Sequence, residues 1–187
     1  DAIIYTHEHA DKTSGIFEMR PFFWKNKKKI PVYASSRTIK ELRNKYTFIF
    51  STRHGYKPNM KACSVKKKFT IKKDGNILNI EEFDVTHGMI KATGFVFDKI
   101  AYLSDCNKIS NGSLKKLLNL DYLIVDCLRN NKHPSHFNYN DAIELIKKLK
   151  PKTSILTNLH VELDYFKLKK KLPSNIIPAY DGLSFNF

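Results

Sequence analysis

The segment Thr6–Ile16, with the sequence THEHADKTSGI, carries the strongest local pattern in the chain. It overlaps the end of an apolar run at residues 1–6 that has the composition of a β-strand. Side chains at i and i+2 of an extended backbone point to the same side, so His7 and His9 can bind one metal ion. Asp11 offers a carboxylate from the following turn. Because two exposed surface histidines would give the same pattern, the metal prediction depends on the rest of the chain.

Three further side chains that can bind a metal follow predicted strands. His87 comes after the strand 80–85, Asp105 comes after the strand 101–104, and His136 lies in the loop after the next strand. Folds of the α/β type place their sites at the carboxyl ends of strands. The shared setting of these side chains favours one metal cluster over independent coincidences.

The order of the predicted elements indicates a layered α/β protein, because strands come first and strands then alternate with helices. Strands are expected at 1–6, 30–33, 68–73, 76–86, 92–98, 100–103, 122–126, 154–157 and 183–187. Helices are expected at 36–46, 113–118, 140–149 and 162–171. A serine is expected to cap the first of these helices and Asn140 the third, and residues 51–66 are expected to form a surface loop.

THEHADKTSGI resembles the THxHxDHxxGI signature of the metallo-β-lactamase superfamily. Five later segments resemble, in order, motifs of its bacterial phosphodiesterase branch, which includes the phosphoribosyl cyclic phosphate phosphodiesterase of phosphonate breakdown. These segments are THGMIKATGFVF, AYLSDCN, HPSHFNYNDA, ILTNLHVELDY and PAYDGLSF. The resemblance implies an α/β fold, the αββα sandwich, formed as one domain over residues 1–187. Family members carry a glycine-rich strand pair before this motif, so the resemblance also implies a domain that lacks its N-terminal strands.

The resemblance implies a role for each residue of the expected site. His7, His9 and His87 would hold the first metal, and Asp105 would bridge the two metals. Asp11 would belong to the second metal and act in catalysis. His136 would protonate the leaving group. Arg20 and Asp181 also fall in matching stretches, where loop anchoring is the alternative role.

The chain departs from the family pattern at two positions that should face the second metal. Lys12 and Asn158 stand where the family has histidines. An ammonium has no lone pair to donate, and a neutral amide oxygen is a weak zinc ligand. We expect Lys12 to take the electrostatic place of the second ion and to pair with Asp11 and Asp105. His160 could substitute as a ligand; otherwise one divalent ion, Zn²⁺ or Mn²⁺, is expected per chain.

Three functions remain open at the level of sequence. The first is a metal-dependent phosphodiesterase that acts on a small phosphodiester or nucleotide, with a metal-bound hydroxide as nucleophile and His136 as acid. The second is a weak or inactive relative that binds nucleotide or phosphate. The third is an RNA-processing protein, since the superfamily includes the tRNA 3′-end endonucleases. The sequence has no recognisable tRNA-gripping arm, so nucleic acid is the less favoured partner.

The net charge of +15 has two explanations. Basic side chains neutralise phosphates, which favours an anionic partner. However, only five of the 33 basic residues are arginine, as expected where an A/T-biased genome enriches lysine, asparagine and isoleucine. Without a long apolar run or a signal pattern, a cytoplasmic protein with no membrane partner is expected.

Cysteine and aromatic content complete the expectations. Cys63, Cys106 and Cys127 are an odd number without CxxC spacing, which argues against disulfides or a thiolate zinc site. The segment Phe22–Trp24 is expected to pack in the core, with a base-stacking platform as the alternative. His54 and His133 are expected to be surface residues.

The implied loss of N-terminal strands has a consequence for self-association of the chain. A domain without them would leave a sheet edge uncovered, so a homodimer is a further possibility.

Overall fold

The computed structural model describes residues 1–52 and 54–185. The chain divides into two compact units, residues 1–80 and 81–187. The single domain over 1–187 therefore stays a prediction.

The first unit contains a small parallel sheet and short helices. The parallel sheet consists of β1 (Ile3–Ile4), β2 (Ile30–Ser35) and β3 (Met60–Val65). The unit also contains β4 (Lys68–Lys73) and the beginning of β5 (Asn76–His87), which belong to a larger sheet. Its helices are α1 (Ala10–Thr13), a 3₁₀ helix (Ser14–Met19), α2 (Arg20–Asn26), α3 (Ser36–Lys45) and α4 (Thr47–Phe50).

The core of the first unit lies between this sheet and α3. Strand β2 is central, pairing in parallel with β1 and β3. Its residues alternate between buried and partly buried, as a strand with one covered face requires. Ile39 and Leu42 of α3 are buried in the same cluster. Ser35 caps α3 by accepting a hydrogen bond from the Thr38 backbone N–H.

The expectation of a loop over 51–66 is wrong for residues 60–65, which form β3. The sequence MKACSV has no clear polar–apolar alternation, so it carries little strand signal of its own. Parallel pairing with β2 supplies the hydrogen bonds that make it a strand. The strands predicted at 68–73 and 76–86 are joined by a turn at Asp74 and Gly75, and both residues have positive φ, as a tight hairpin turn requires.

The second unit contains most strands of the larger sheet, together with helices. After β5 come β6 (Ile90–Phe97), β7 (Ile100–Leu103), β8 (Lys108–Ile109), β9 (Tyr122–Asp126), β10 (Thr153–Thr157) and β11 (Ile176–Pro178). The helices are α5 (Asn111–Leu114), a 3₁₀ helix (Lys115–Leu117), α6 (Tyr139–Leu149) and α7 (Tyr165–Lys171).

The strand order of this sheet is β11-β10-β9-β7-β6-β5-β4, and β8 pairs with β5. Strands β7, β9, β10 and β11 are parallel, whereas β6 and β7 are antiparallel. Packing leaves no room for a side chain at Gly94 in β6, because a Cβ there would lie 2.4 Å from the Phe83 ring. The parallel strands bring their carboxyl ends to one edge of the sheet.

Two predictions for the second unit are wrong. The cap of α6 is Asn138, not Asn140, because Asn138 and Asp141 form a reciprocal capping box. Residues 183–185 form no strand, and the rest of the predicted strand 183–187 lies outside the described residues. The outer strand is instead β11, which pairs with β10. Within the described part of the chain, no helix is long and apolar enough to cross a membrane.

Candidate metal centre

His87 lies at the end of β5, and a backbone contact orients its ring. Its Nδ1 lies 2.8 Å from the Ser135 carbonyl oxygen. A carbonyl only accepts, so Nδ1 carries the proton and Nε2 presents a lone pair. That Nε2 lies 4.0 Å from Oδ2 of Asp105, and both side chains are buried. The two ligand atoms therefore face each other across a gap that a metal ion can bridge.

The loop that orients His87 is tied to the end of β5. The Gly88 N–H donates to Asn107 Oδ1 at 3.1 Å, and Asn107 Nδ2 donates to the Pro134 carbonyl at 2.8 Å. Gly88 has a φ of +60°, and a Cβ there would lie 2.9 Å from the Ser135 Cβ. Only glycine fits both the backbone conformation and the close approach. These contacts position the carbonyl that accepts a hydrogen bond from Nδ1 of His87.

Asp105 follows β7 with a left-handed backbone, at a φ of 52°. Its Oδ1 accepts hydrogen bonds from the Ser104 hydroxyl and from Asn158 Nδ2, the latter at 2.7 Å. These donors hold one carboxylate oxygen, while the other faces His87. The carboxylate is thus oriented before any ion binds.

Asp126 at the end of β9 is fully buried and orients His136. Its Oδ2 lies 2.8 Å from His136 Nδ1 and accepts from the Cys106 N–H at 2.9 Å. His136 therefore directs Nε2 away from the aspartate. One ligand atom each of His87, Asp105 and His136 lie within 4.8 Å of one another, so the three could hold a metal ion.

Asn158 acts as a donor in this group. Its Nδ2 lies 2.7 Å from Asp105 Oδ1 and 3.0 Å from Asp126 Oδ1. Two carboxylate acceptors determine which end of the amide is the nitrogen. The residue has a φ of 60°, which asparagine tolerates better than most residues. Asn158 thus joins the two carboxylates, and its nitrogen offers no lone pair to a metal.

The two histidines of the opening motif differ in burial. His7 is fully buried, with Nδ1 3.0 Å from the Thr6 hydroxyl, whereas His9 is exposed. Their ring centroids lie 4.6 Å apart. The carbonyl of His9 accepts from the hydroxyl of Thr13 at 2.9 Å, which closes the turn of α1. The side chains predicted to share an ion are therefore neighbours.

Charged contacts anchor the same segment. Arg37 pairs with the Glu8 carboxylate, and Lys45 Nζ donates to the Glu8 carbonyl at 2.8 Å. Burial alone would raise the pKa of Glu8, but the hydrogen bond and charge of Arg37 bring it below its usual value. Lys12 Nζ lies 2.9 Å from Asp11 Oδ2, so the expected pairing with Asp11 is present. The expected pairing with Asp105 stays a prediction.

His133 was missed by the sequence analysis as a member of this site. Its ring centroid lies 5.0 Å from that of His136, and its Nδ1 contacts the Ser135 backbone N–H and hydroxyl. Burial and the neighbouring His136 lower the pKa of His133. The signal was its place in the motif HPSH, three residues before His136. Asp126, Asn107 and Ser135 were also missed, because their roles depend on tertiary contacts.

Among the described residues, neither His160 nor a cysteine belongs to a group of side chains that could hold a metal ion. His160 is half exposed, with Nδ1 3.9 Å from Glu162 Oε1. Cys63, Cys106 and Cys127 are free thiols. Burial raises the pKa of Cys127 to about 12 and also raises that of Cys106. Both thiols are therefore protonated near neutral pH, which is unfavourable for thiolate binding of zinc.

Comparison with known structures defines the class of protein. A diphosphatase of the PhnP family superposes with a TM-score of 0.88 and 29% identity, over 100% of this chain and 71% of that chain. Zn²⁺-bound PqqB from Methylobacterium extorquens superposes with a TM-score of 0.78 and 13% identity, over 100% of this chain and 73% of that chain. The fold is therefore the mixed α/β fold of the metallo-β-lactamases, as predicted.

A family model described as "Beta-lactamase superfamily domain" matches residues 1–158. The chain belongs to the metallo-β-lactamase superfamily. It is also 29% identical, over 98% of its length, to a protein named "Octanoyltransferase" from Porphyromonas gingivalis (strain ATCC BAA-308 / W83). The chain spans 37% of the length of that relative.

Proposed function

We propose that the chain is a metal-dependent hydrolase that acts on a small phosphodiester or nucleotide through a single divalent ion. The observation that carries this proposal is the group formed by His87, Asp105 and His136. A hydrogen bond to a neighbouring residue orients each of these side chains. The 29% identity with a PhnP-family diphosphatase supports a phosphate substrate.

His7 and His9 are proposed to complete the ligand set around His87, with Asp105 as a further ligand. The support is the opening motif, which lies inside the matched family region together with His87 and Asp105. A bound Zn²⁺ or Mn²⁺ lowers the pKa of water and polarises a phosphoryl oxygen. Asp11 is proposed to act beside the substrate, held by its ion pair with Lys12.

His136 is proposed to protonate the leaving oxygen. The buried Asp126 carboxylate binds Nδ1, so Nε2 is the nitrogen that can hold and release the proton. His136 is also close enough to His87 and Asp105 to be a ligand itself. The two roles predict different behaviour of the same variant.

A His136→Gln variant separates the two roles. As an acid, His136 is dispensable for metal binding, and the rate should fall by about 100-fold for an alkyl leaving group but much less for 4-nitrophenolate. Metal content by mass spectrometry and hydrolysis of the two substrates are the measurements, with His54→Gln, at an exposed position outside the centre, as the matched control. Loss of metal in His136→Gln, with equal losses for both substrates, would assign His136 as a ligand instead.

We propose one ion rather than two because Lys12 and Asn158 stand where the family pattern has histidines. Lys12 brings a positive charge, and Asn158 donates to Asp105 and Asp126 at the place where the family pattern has a histidine. Purified protein incubated with Zn²⁺ or Mn²⁺ and then desalted should retain about one ion per chain. A chain that retains no ion would contradict the proposal.

The double variant Lys12→His with Asn158→His tests why only one ion is expected. It should bind about two ions and hydrolyse bis(4-nitrophenyl) phosphate at least about tenfold faster, because two ions can stabilise both the attacking and the leaving oxygen. Lys61→His with Asn140→His makes the same exchanges at exposed positions and should change neither quantity. No gain in the first variant would overturn the assignment of Lys12 and Asn158.

The activity named for the curated relative is not part of this proposal. The match covers 37% of that protein.

A further inference from the structure

A cavity of about 550 Å³ lies within the first unit, with a lining that is aromatic and basic. The lining residues are Phe17, Arg20, Phe23, Trp24, Phe48, His54, Tyr56, Lys57 and Asn59. Cavities of this size are typical of small-molecule sites. Among the lining residues, all of which the structure describes, no carboxylate occurs.

The aromatic side chains around this cavity are unusually exposed. Trp24 is 53% exposed, Phe48 is 44% exposed and Tyr56 is 74% exposed. The expectation that the segment Phe22–Trp24 packs in the core is wrong for Phe22 and Trp24, each 53% exposed. Clustered exposed aromatic side chains mark binding sites, because burial of their surface is strongly favourable. The alternative of a stacking platform therefore gains support.

The guanidinium of Arg20 is a cationic group of the cavity, and two aromatic rings hold it in place. Its guanidinium carbon lies 4.8 Å from the centroids of both the Phe17 and the Trp24 rings. The Phe17 ring in turn contacts Phe48 edge to face, with centroids 5.6 Å apart. Only five of the 33 basic residues are arginine, so the lysine-rich composition does not explain this one. A planar guanidinium held between rings suits an anionic group on an aromatic ligand.

Asn59 adds a polar group at the wall of the cavity. Its side chain is 8% exposed, and its Oδ1 has no hydrogen-bond partner within residues 1–52 and 54–185. Its backbone is fixed, because the N–H donates to the Ile49 carbonyl and the carbonyl accepts from the Ile30 N–H. Buried polar atoms are normally paired. A carboxamide turns easily about its last bond, so it can present a donor and an acceptor to the edge of a planar ring.

We propose that this cavity binds a nucleotide, with the base among the aromatic rings, its edge at Asn59 and the phosphate at Arg20 and Lys57. Every nucleobase has a face that stacks on aromatic side chains and an edge that carries hydrogen-bonding groups. A bare phosphate would not use the rings, and a neutral apolar ligand would not use the cations. This site lies within the first unit and does not depend on the proposed hydrolase activity.

Trp24 provides a direct measurement, because it is the only tryptophan in the chain. Its fluorescence should be quenched saturably by AMP in the presence of EDTA, which removes metal-dependent binding from the signal. Adenosine should bind more weakly than AMP, and ribose 5-phosphate should cause no quenching. The same titrations with GMP, CMP and UMP reveal the preferred base.

Two variants connect the binding to the cavity. Phe48→Leu, which keeps an apolar side chain but removes a ring, should weaken AMP binding about tenfold. Lys57→Ala, at an exposed position, should weaken AMP binding but leave adenosine binding unchanged. Phe166→Leu is the matched control, because Phe166 is 72% exposed and lies in the second unit.

Three results would overturn the proposal. They are the absence of saturable quenching by all four nucleotides up to about 10 mM, equal quenching by ribose 5-phosphate and AMP, and unchanged AMP binding in both cavity variants. Quenching by AMP together with an absence of metal binding would leave this site standing and remove the proposed hydrolase.

Discussion

At the residue scale, single side chains set the chemistry of the candidate centre. Asn158 joins the carboxylates of Asp105 and Asp126 through one nitrogen, and the Ser135 carbonyl orients the ring of His87. The residue types at these positions decide which atoms can bind a metal. The precise hydrogen bonds decide which atoms are oriented to do so.

Gly88 allows the most direct test at this scale. Gly88→Ala should lower the free energy of unfolding by about 2 kcal/mol, because alanine is strained at positive φ and its Cβ would collide with Ser135. It should also weaken metal binding, because the Ser135 carbonyl orients His87. Urea unfolding and metal titration are the measurements.

Gly112→Ala is the control for this substitution. A Cβ at Gly112 would meet its nearest neighbour at 3.8 Å, an ordinary contact, within helix α5. Its stability should change by no more than about 0.5 kcal/mol. A Gly88→Ala protein as stable as Gly112→Ala, with unchanged metal affinity, would show that the close approach at Ser135 is unimportant.

At the element scale, the helices and strands carry the candidate ligands to one edge of the large sheet. Strands β5 and β9 end at His87 and Asp126, and β7 ends two residues before Asp105. Helix α6 begins three residues after His136, and its cap, Asn138, lies two residues after His136. The cap of α6 therefore also limits the position of the HPSH loop.

Asn138→Ala should lower the free energy of unfolding by about 1 kcal/mol, because the capping box of α6 is lost. Asn140→Ala is the matched control, since Asn140 is exposed inside the helix, where alanine is the better helix former. The two proteins can be compared by urea unfolding. Equal stability of the two variants would contradict the assignment of Asn138 as the cap.

At the scale of the whole molecule, the buried thiols report on the integrity of the core. Cys106 and Cys127 are fully buried, whereas Cys63 is only partly buried. Burial raises the pKa of Cys127 to about 12, so it remains protonated at mildly alkaline pH, and the reactive thiolate is scarce.

The native chain should therefore react with a disulfide reagent at about one thiol at pH 8, and at all three after unfolding. Cys63→Ser should abolish the fast reaction. Absorbance of the released thiolate is the measurement. Fast reaction of two or three thiols in the native chain would show that the buried cysteines are accessible.

The sequence by itself determined the family, the fold class and most of the strands. The motif of His7, His9 and Asp11 is local, and alternation of polar and apolar residues is visible without a structure. The same local information singled out His87, Asp105 and His136 as candidate ligands, because each follows a recognisable strand. It also identified Lys12 and Asn158 as departures from the pattern.

Only the tertiary structure decided what these residues touch. Asp126 orients His136 from another strand, and Asn158 spans two carboxylates that are distant in sequence. Strand β3 and the exposure of Trp24 also depend on neighbours that the sequence does not reveal. The physical reason is that hydrogen bonding and burial are properties of pairs of residues brought together by folding, whereas periodicity is a property of the chain alone.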